Sequence, residues 1–132
     1  LKLAESTKIN NDQYLTDLSW VKRNFAEVHS CIEALKLICW KQTWIMETGQ
    51  LNMAEASVAK VYGSEFFIEA YRLLMEVMGE LSLLKNDSEL SILNARLERM
   101  YRTASILTFG GGTNEVQRDI IAMAGLLMPR TR

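Results

Sequence analysis

A run of three glycines followed by two polar residues is the stretch of this 132-residue chain best suited to chemistry. Gly110, Gly111 and Gly112 interrupt a long helical pattern, and Thr113 and Asn114 then open a new one. Glycine adopts backbone angles closed to other residues and lets another group come close to the main chain. Thr113 or Asn114 can cap the next helix, whose free N–H groups and dipole favour a phosphate or another anion. The pattern predicts a place that receives a ligand; a flexible helix–helix turn is the alternative.

The other motifs and residues that could bind a ligand or a metal indicate no further site. The glycines are not a P-loop, because no Gly-Lys-Ser/Thr follows, and no strand precedes them as in a Rossmann fingerprint. His29 has only Glu33 one turn away as a second ligand, which is too few for a metal, so a surface or interface histidine is expected. Cys31 and Cys39 are interpreted as reduced thiols of an intracellular protein.

Length and composition indicate one domain, 1–132, with a real core. Apolar residues make up 48% of the chain, and the formal net charge is −1, so neither nucleic acid nor an anionic membrane surface is an expected partner. No apolar run approaches the roughly 18 residues of a membrane span, and no signal peptide is found. A cytoplasmic location is expected, or the mitochondrial matrix in a eukaryote. The start at Leu1 indicates a fragment or a processed piece.

The expected fold class is an all-α, antiparallel four-helix bundle, because helical periodicity runs through the chain and no strand pattern is found. Asn10, Asn11 and Asp12 form an N-cap cluster, and Gly49 supplies a stop signal. Between them, apolar residues recur every seven positions as a seam. The seam has two rows: Leu18, Phe25, Ile32, Cys39 and Met46, and Val21, Val28 and Leu35. The predicted helices cover about 12–48, 54–81, 88–108 and 114–124.

Two features predict a dimer or a larger assembly. The second helix carries apolar residues on every side, and the seam of the first is longer than one small bundle can cover. Trp40 and Trp44 lie one turn apart, a spacing that suits packing and could also anchor a subunit interface.

The segment GGGTNEVQRDIIA, followed by a short apolar run and Met128-Pro129-Arg130, resembles the C-terminal signature of the acyl-CoA dehydrogenases. The similarity extends upstream through residues 56–60 with Ser64 and Glu65, and through residues 98–102. It covers about the last two-thirds of the chain. Members of this family are flavoproteins whose last domain is a helical bundle.

The resemblance implies that the parent protein removes an α-proton and a β-hydride from an acyl-CoA thioester, with FAD accepting the hydride. In that family the glycine loop and the next helix lie against the flavin, often that of a neighbouring subunit. Gly112, Thr113 and Glu115 match cofactor-contacting positions, and Glu76 and Glu80 lie in a second region that the family places beside FAD. Alternatively, Thr113 only caps the helix and Glu115 complements its dipole.

The chain departs from the family pattern at the catalytic base. The usual carboxylate position, two residues before the motif threonine, is Gly111, and the neighbouring position is Gly110. Glu80 replaces a glycine beside the diphosphate, where its charge is unfavourable. The resemblance also implies that the flavin site is completed by parts of the family not found in this sequence: the first helix of this domain, an N-terminal helical domain and a β domain. This piece alone is therefore expected to be inactive and not to hold FAD tightly.

Three functions from different classes remain open. The chain is the C-terminal domain of an acyl-CoA dehydrogenase-like enzyme that contributes to FAD contacts and oligomerisation, or an assembly subunit whose paralogue supplies the chemistry. A generic helical interaction domain is the third hypothesis, and the glycine-loop motif argues against it. A homo-oligomer and a hetero-oligomer with a paralogue are both compatible with the resemblance.

Overall fold

The computed structural model describes residues 1–49 and 52–130, and within these ranges the chain is mainly helical. The three longest elements are helices α2, Ser19–Glu47, α3, Met53–Met78, and α4, Arg96–Ala104. The shorter ones are α1, Lys2–Ser6, strands β1, Lys8–Asn10, and β2, Gln13–Tyr14, and α5, Asn114–Ile120. Single 3₁₀ turns span Leu15–Asp17, Gly79–Leu83, Ile92–Ala95 and Ser105–Thr108, and a π turn, Ile121–Gly125, extends α5.

The N-terminal segment corrects two expectations. A short antiparallel hairpin pairs Lys8 with Tyr14 and Asn10 with Gln13, although no strand pattern was expected. The first long helix begins at Ser19 and not near 12. The reason is local: the Asp12 N–H donates to Asn10 Oδ1 at 3.2 Å, so the cluster interpreted as an N-cap closes a turn between two strands.

The ends of the other helices follow the stop signals more closely. Gly49 lies just beyond α2 with φ +74°, the left-handed conformation that terminates helices and suits glycine. Helix α3 continues as the 3₁₀ turn to Leu83, where Ser82 Oγ donates to the Gly79 carbonyl at 2.6 Å.

The third long helix, α4, begins at Arg96, later than the predicted residue 88. There, Ser88 Oγ accepts the Leu90 N–H at 3.4 Å in a turn of its own.

The chain divides into two compact units, and α2 and α3 each contribute to both by sequence range. Unit 1 comprises Leu1–Cys31 and Ile68–Thr103, and unit 2 comprises the described residues of Ile32–Phe67 and Ala104–Arg132. The predicted single domain over 1–132 stays a prediction.

The core of unit 1 uses both rows of the predicted seam near the start of α2, because Leu18 and Phe25 of the first row pack against it. Val21, with no exposed surface, packs with Ala4 and Val77. Asn24, one turn after Val21, is also buried, and its amide donates to Glu76 Oε2 at 3.3 Å. Further along α2, the row that begins with Leu18 is exposed. The side chains of Ile32 and Met46 are 37% and 61% exposed there.

Replacing Val21 with alanine is expected to lower the free energy of unfolding by about 2 kcal/mol, because two buried methyl groups leave a cavity. Urea denaturation followed by circular dichroism measures the change. Val116→Ala is the matched control, because the Val116 side chain is 52% exposed and should cost less than about 0.5 kcal/mol. Equal losses in the two variants would contradict this assignment of the core.

Candidate functional site

The glycine loop has a defined shape in unit 2. The Ile106 carbonyl accepts the Phe109 N–H at 3.3 Å, which closes the preceding 3₁₀ turn, and also the Gly110 N–H at 2.7 Å. Gly111 and Gly112 then take φ values of +74° and +99°, a region that side-chain-bearing residues rarely adopt. A Cβ atom at Gly111 would meet no atom within 4 Å, whereas one at Gly112 would lie 2.8 Å from Gln117 Nε2. The backbone at Gly111 is therefore open to close approach by another group.

Thr113, and not Asn114, is the N-cap of α5. Thr113 has extended backbone angles, and its Oγ1 accepts the Val116 N–H at 3.3 Å. Asn114 is the first helical residue, and its side chain is buried. The predicted capping role of Thr113 is confirmed. The contact of Thr113 with a cofactor stays a prediction, compatible with capping because the residue is exposed.

The buried amide of Asn114 joins the start of α5 to α3. Its Nδ2 donates to Ser64 Oγ at 3.0 Å and to Glu65 Oε1 at 3.1 Å. Its Oδ1 accepts from Lys60 Nζ at 2.6 Å. Glu65 also pairs with Arg118 of α5 at 2.6 Å. A buried polar group without partners is costly, so this network anchors the residue that follows the glycine loop.

Lys60 also binds the backbone before the glycines and at the last of them. Its Nζ donates to the Thr108 carbonyl at 3.1 Å and to the Gly112 carbonyl at 2.6 Å. Together with Asn114 Oδ1, the ammonium group therefore has three oxygen acceptors, one for each of its protons.

Sequence reasoning missed the function of this network. Lys60, Ser64 and Glu65 carried part of the family resemblance but received no role. The available signal was their spacing: Lys60 and Ser64 are one helical turn apart, so these two polar side chains share a face of the helix. Periodicity could not have named Asn114 as their partner, because the contact spans 50 residues.

Glu115 lies at the start of α5, as predicted, and is fully ionised at neutral pH. A hydrogen bond from its own backbone N–H, then one from the Thr113 hydroxyl, lower the pKa of its carboxyl group. Arg118 and Lys60 lower it further. A general base for an α-proton needs a raised pKa, so this environment suits a helix-start carboxylate and not a proton acceptor.

The pKa of the Glu98 carboxyl group is also lowered, in this case by Arg102. Their side chains form an ion pair at 2.8 Å, and the hydrogen bond from Arg102 lowers the pKa of the Glu98 carboxyl group. No carboxylate occupies the family's usual base position, because residues 110 and 111 are glycines. A Cβ atom at Gly110 would lie 3.0 Å from the Ile106 carbonyl oxygen, so Gly111 is the roomier of the two.

The other two predicted cofactor-contacting residues lie in unit 1. Glu76 is in α3, and Arg72 Nη1 lies 3.5 Å from its Oε2. Glu80 is exposed in the 3₁₀ turn that follows α3. The structure thus brings Gly112, Thr113 and Glu115 together, and the FAD contacts of all five residues stay predictions.

Neither a metal-binding cluster nor a membrane-spanning helix is present within residues 1–49 and 52–130. This part of the chain contains no group of three or more His, Cys, Asp or Glu side chains placed to hold a metal ion. None of its helices combines the length and the apolar character that a membrane crossing requires.

These features define a class: a helical domain that presents an open glycine loop at a capped helix start. The chain matches the model of the acyl-CoA dehydrogenase C-terminal domain over residues 1–126. It is 50% identical over 131 residues to acyl-CoA dehydrogenase FadE26 of Mycobacterium tuberculosis, covering 96% of this chain and 32% of FadE26. This chain belongs to the acyl-CoA dehydrogenase family, as the C-terminal domain of an acyl-CoA dehydrogenase-like protein, and the resemblance stated above is confirmed.

Solved structures share the fold. The ChsE4-ChsE5 complex from Mycobacterium tuberculosis matches with a TM-score of 0.91 and 48% identity, over 98% of this chain and 34% of the matched one. The steroid ACAD Tcur3481-Tcur3483 matches with a TM-score of 0.85 and 36% identity, over 89% of this chain and 30% of the matched one. The predicted all-α bundle of this family is confirmed. The chain spans about a third of the length of these relatives.

Replacing Glu115 with glutamine is expected to lower the melting temperature at pH 7 and to have little effect near pH 3. A carboxyl group whose pKa is lower in the folded state stabilises the fold above its unfolded pKa of about 4.3. This stabilisation is lost as the pH falls through the folded-state pKa. Thermal unfolding of both proteins at the two pH values measures the difference. A deficit of equal size at both would contradict the assignment.

Proposed function

We propose that this chain is the C-terminal domain of one subunit of an FAD-dependent acyl-CoA dehydrogenase. The parent protein would catalyse α,β-dehydrogenation of an acyl-CoA thioester. The observation that carries the proposal is the open glycine loop ahead of Thr113, in a chain that belongs to this family. The role of this domain would be to contact the cofactor and to support subunit assembly. A cytoplasmic location remains part of the proposal.

The residues of the loop fit the edge of a flavin nucleotide. Gly111 leaves room for close approach, and the exposed Thr113 hydroxyl lies where the backbone N–H groups of α5 begin. Gly112, Thr113 and Glu115 would form the contact from this side, with Glu76 and Glu80 as further contacts. Bound FAD would supply the hydride acceptor. One loop with a few donors does not enclose a dinucleotide, so this piece alone is not expected to hold FAD tightly.

The base that takes the α-proton would come from outside this chain. Gly110 and Gly111 offer no carboxylate, and Glu98 and Glu115 both have lowered pKa values. Another part of the parent protein or a partner subunit would therefore supply it. This chain's own residues orient the cofactor and do not move the proton.

Assembly with a paralogue is the second element of the proposal. In unit 2, three apolar side chains at positions i, i+3 and i+7 of α2 share one face of the helix. Leu37, Trp40 and Trp44 are 61%, 67% and 64% exposed, and we call them the tryptophan stripe. Exposed aromatic residues clustered in this way mark protein interfaces. The occupant we propose is a subunit of the same family, because the solved relatives ChsE4-ChsE5 and Tcur3481-Tcur3483 each pair two named proteins. A purely non-catalytic assembly subunit is the alternative.

The proposed acyl group is sterol-derived. Tcur3481-Tcur3483, 36% identical to this chain, is a steroid ACAD. A bulky fused-ring acyl group would distinguish the parent from dehydrogenases that act on straight chains.

The parent protein, co-expressed with its paralogue, is expected to purify with a flavin spectrum that bleaches on addition of a sterol-derived acyl-CoA. A straight-chain acyl-CoA is the comparison substrate, and the parent expressed alone should give no turnover. Gly111→Glu should restore none to the parent alone, because a side chain at φ +74° is strained by about 1–2 kcal/mol and the base is supplied elsewhere. Full activity of the parent alone, abolished by Glu98→Gln or Glu115→Gln with flavin retained, would place the base in this chain.

Exchanging Trp40 and Trp44 for glutamate is expected to weaken association with the partner at least tenfold. The change replaces apolar contact area by charges that association would have to desolvate. Analytical ultracentrifugation of the co-expressed parent proteins measures the shift. Met53→Glu is the matched control, since the Met53 side chain is also 67% exposed but begins α3. Unchanged sedimentation of the double variant would show that the tryptophan stripe is not the interface.

A further inference from the structure

Lys60 is held by oxygen atoms of this chain, and this limits what it can bind. An ammonium group has three protons to donate and no acceptor. The three acceptors of Lys60 Nζ are the carbonyls of Thr108 and Gly112 and the side-chain oxygen of Asn114, at 3.1, 2.6 and 2.6 Å. With every proton engaged, the ammonium group serves the loop itself and has none left for the phosphate of a ligand.

The acceptors of Lys60 bracket the glycines. Thr108 precedes the first glycine, Gly112 is the last, and Asn114 begins α5. Glycine has more backbone freedom than any other residue type. Fixing the positive φ values of Gly111 and Gly112 therefore has a high entropic cost. One cation bound to both ends of the run restricts the shapes that the loop can adopt.

The bond to Gly112 also sets the direction of the next N–H group. The peptide bond between Gly112 and Thr113 is trans, because the described residues contain no cis peptide. In a trans peptide the C=O and the following N–H point in opposite directions. Since the Gly112 carbonyl points at Lys60 Nζ, the Thr113 N–H points away from Lys60. Thr113 itself is exposed.

Asn114, the side-chain acceptor of Lys60, is itself held in place by hydrogen bonds. Asn114 Oδ1 cannot turn away without breaking the bonds that Asn114 Nδ2 makes to Ser64 and Glu65. Glu65 is in turn held by Arg118 at 2.6 Å. The lysine therefore links the loop to a polar network that already joins α3 and α5.

We propose that Lys60 is a positioning residue that fixes the glycine loop, residues 108–114, so that the Thr113 N–H is aimed at the flavin nucleotide. The identity of the ligand rests on the proposed function above. The role of Lys60 in shaping the loop rests only on its own three hydrogen bonds.

The test uses the full-length parent co-expressed with its paralogue, with Lys60 changed to methionine, glutamine or arginine. Methionine keeps an unbranched apolar stem and removes all three donors; arginine keeps the charge and several donors. Lys41→Met is the matched control. Lys41 is likewise a lysine that links two elements, here α2 to α3 through Glu55 at 2.8 Å, but its bond is to Glu55 and not to the loop. The readouts are the dissociation constant for FAD, amide hydrogen exchange of residues 108–114, and turnover of the flavin-loaded fraction.

Lys60→Met and Lys60→Gln are expected to weaken FAD binding about tenfold or more, which corresponds to one hydrogen bond to a charged group. Exchange should rise within 108–114, and turnover of the flavin-loaded fraction should change less than affinity. Lys60→Arg should recover part of the affinity, and Lys41→Met should match the wild type in all three readouts.

Wild-type FAD affinity in both Lys60→Met and Lys60→Gln would overturn the inference, as would an equal loss in Lys41→Met. Unchanged exchange of residues 108–114 would overturn the shaping role. A wild-type complex without flavin would instead refute the proposed function and the named ligand. The exchange data would still decide whether Lys60 fixes the loop.

Discussion

The structure of the candidate site depends on one constraint: polar groups enclosed between α3 and α5 must find partners. Asn114 is 4% exposed, and its amide meets that requirement through Lys60, Ser64 and Glu65. The same lysine then binds the carbonyls of Thr108, before the glycines, and of Gly112, the last of them. The glycine loop is thereby tied to helix α3. Apolar packing alone is non-directional and could not orient individual peptide groups in this way.

Neither Glu115, beside the loop in unit 2, nor Glu98, in unit 1, has the environment of a proton acceptor. Glu115 and Glu98 are each hydrogen-bonded by nearby donors that favour the ionised form and lower the pKa of the carboxyl group. Glycine occupies the position where a base is usual in this family. A domain of this kind can orient a cofactor while another chain or domain takes the proton. That division of labour is consistent with relatives that pair two named proteins.

Local signals in the sequence were sufficient for some features and not for others. Gly49 ended its helix because glycine accepts φ +74° without strain. The cap of α5 was narrowed to Thr113 or Asn114, and Thr113 is the cap in the structure. The hairpin at Lys8–Tyr14 was missed, because asparagine and aspartate favour turns as much as helix caps. The Lys60–Asn114 contact was missed for another reason: periodicity reports which face of a helix is apolar, not which distant polar side chain meets it. The exposure of Met46 shows that an apolar seam predicts a face and not its partner.

A structure of the FAD-loaded parent complex would show directly whether the glycine loop contacts the flavin nucleotide. We expect the backbone N–H or the hydroxyl of Thr113 to lie within about 3.2 Å of an oxygen of FAD, with the Gly112 carbonyl still bound to Lys60. A loop that faces solvent while FAD is bound elsewhere by both subunits would contradict this expectation.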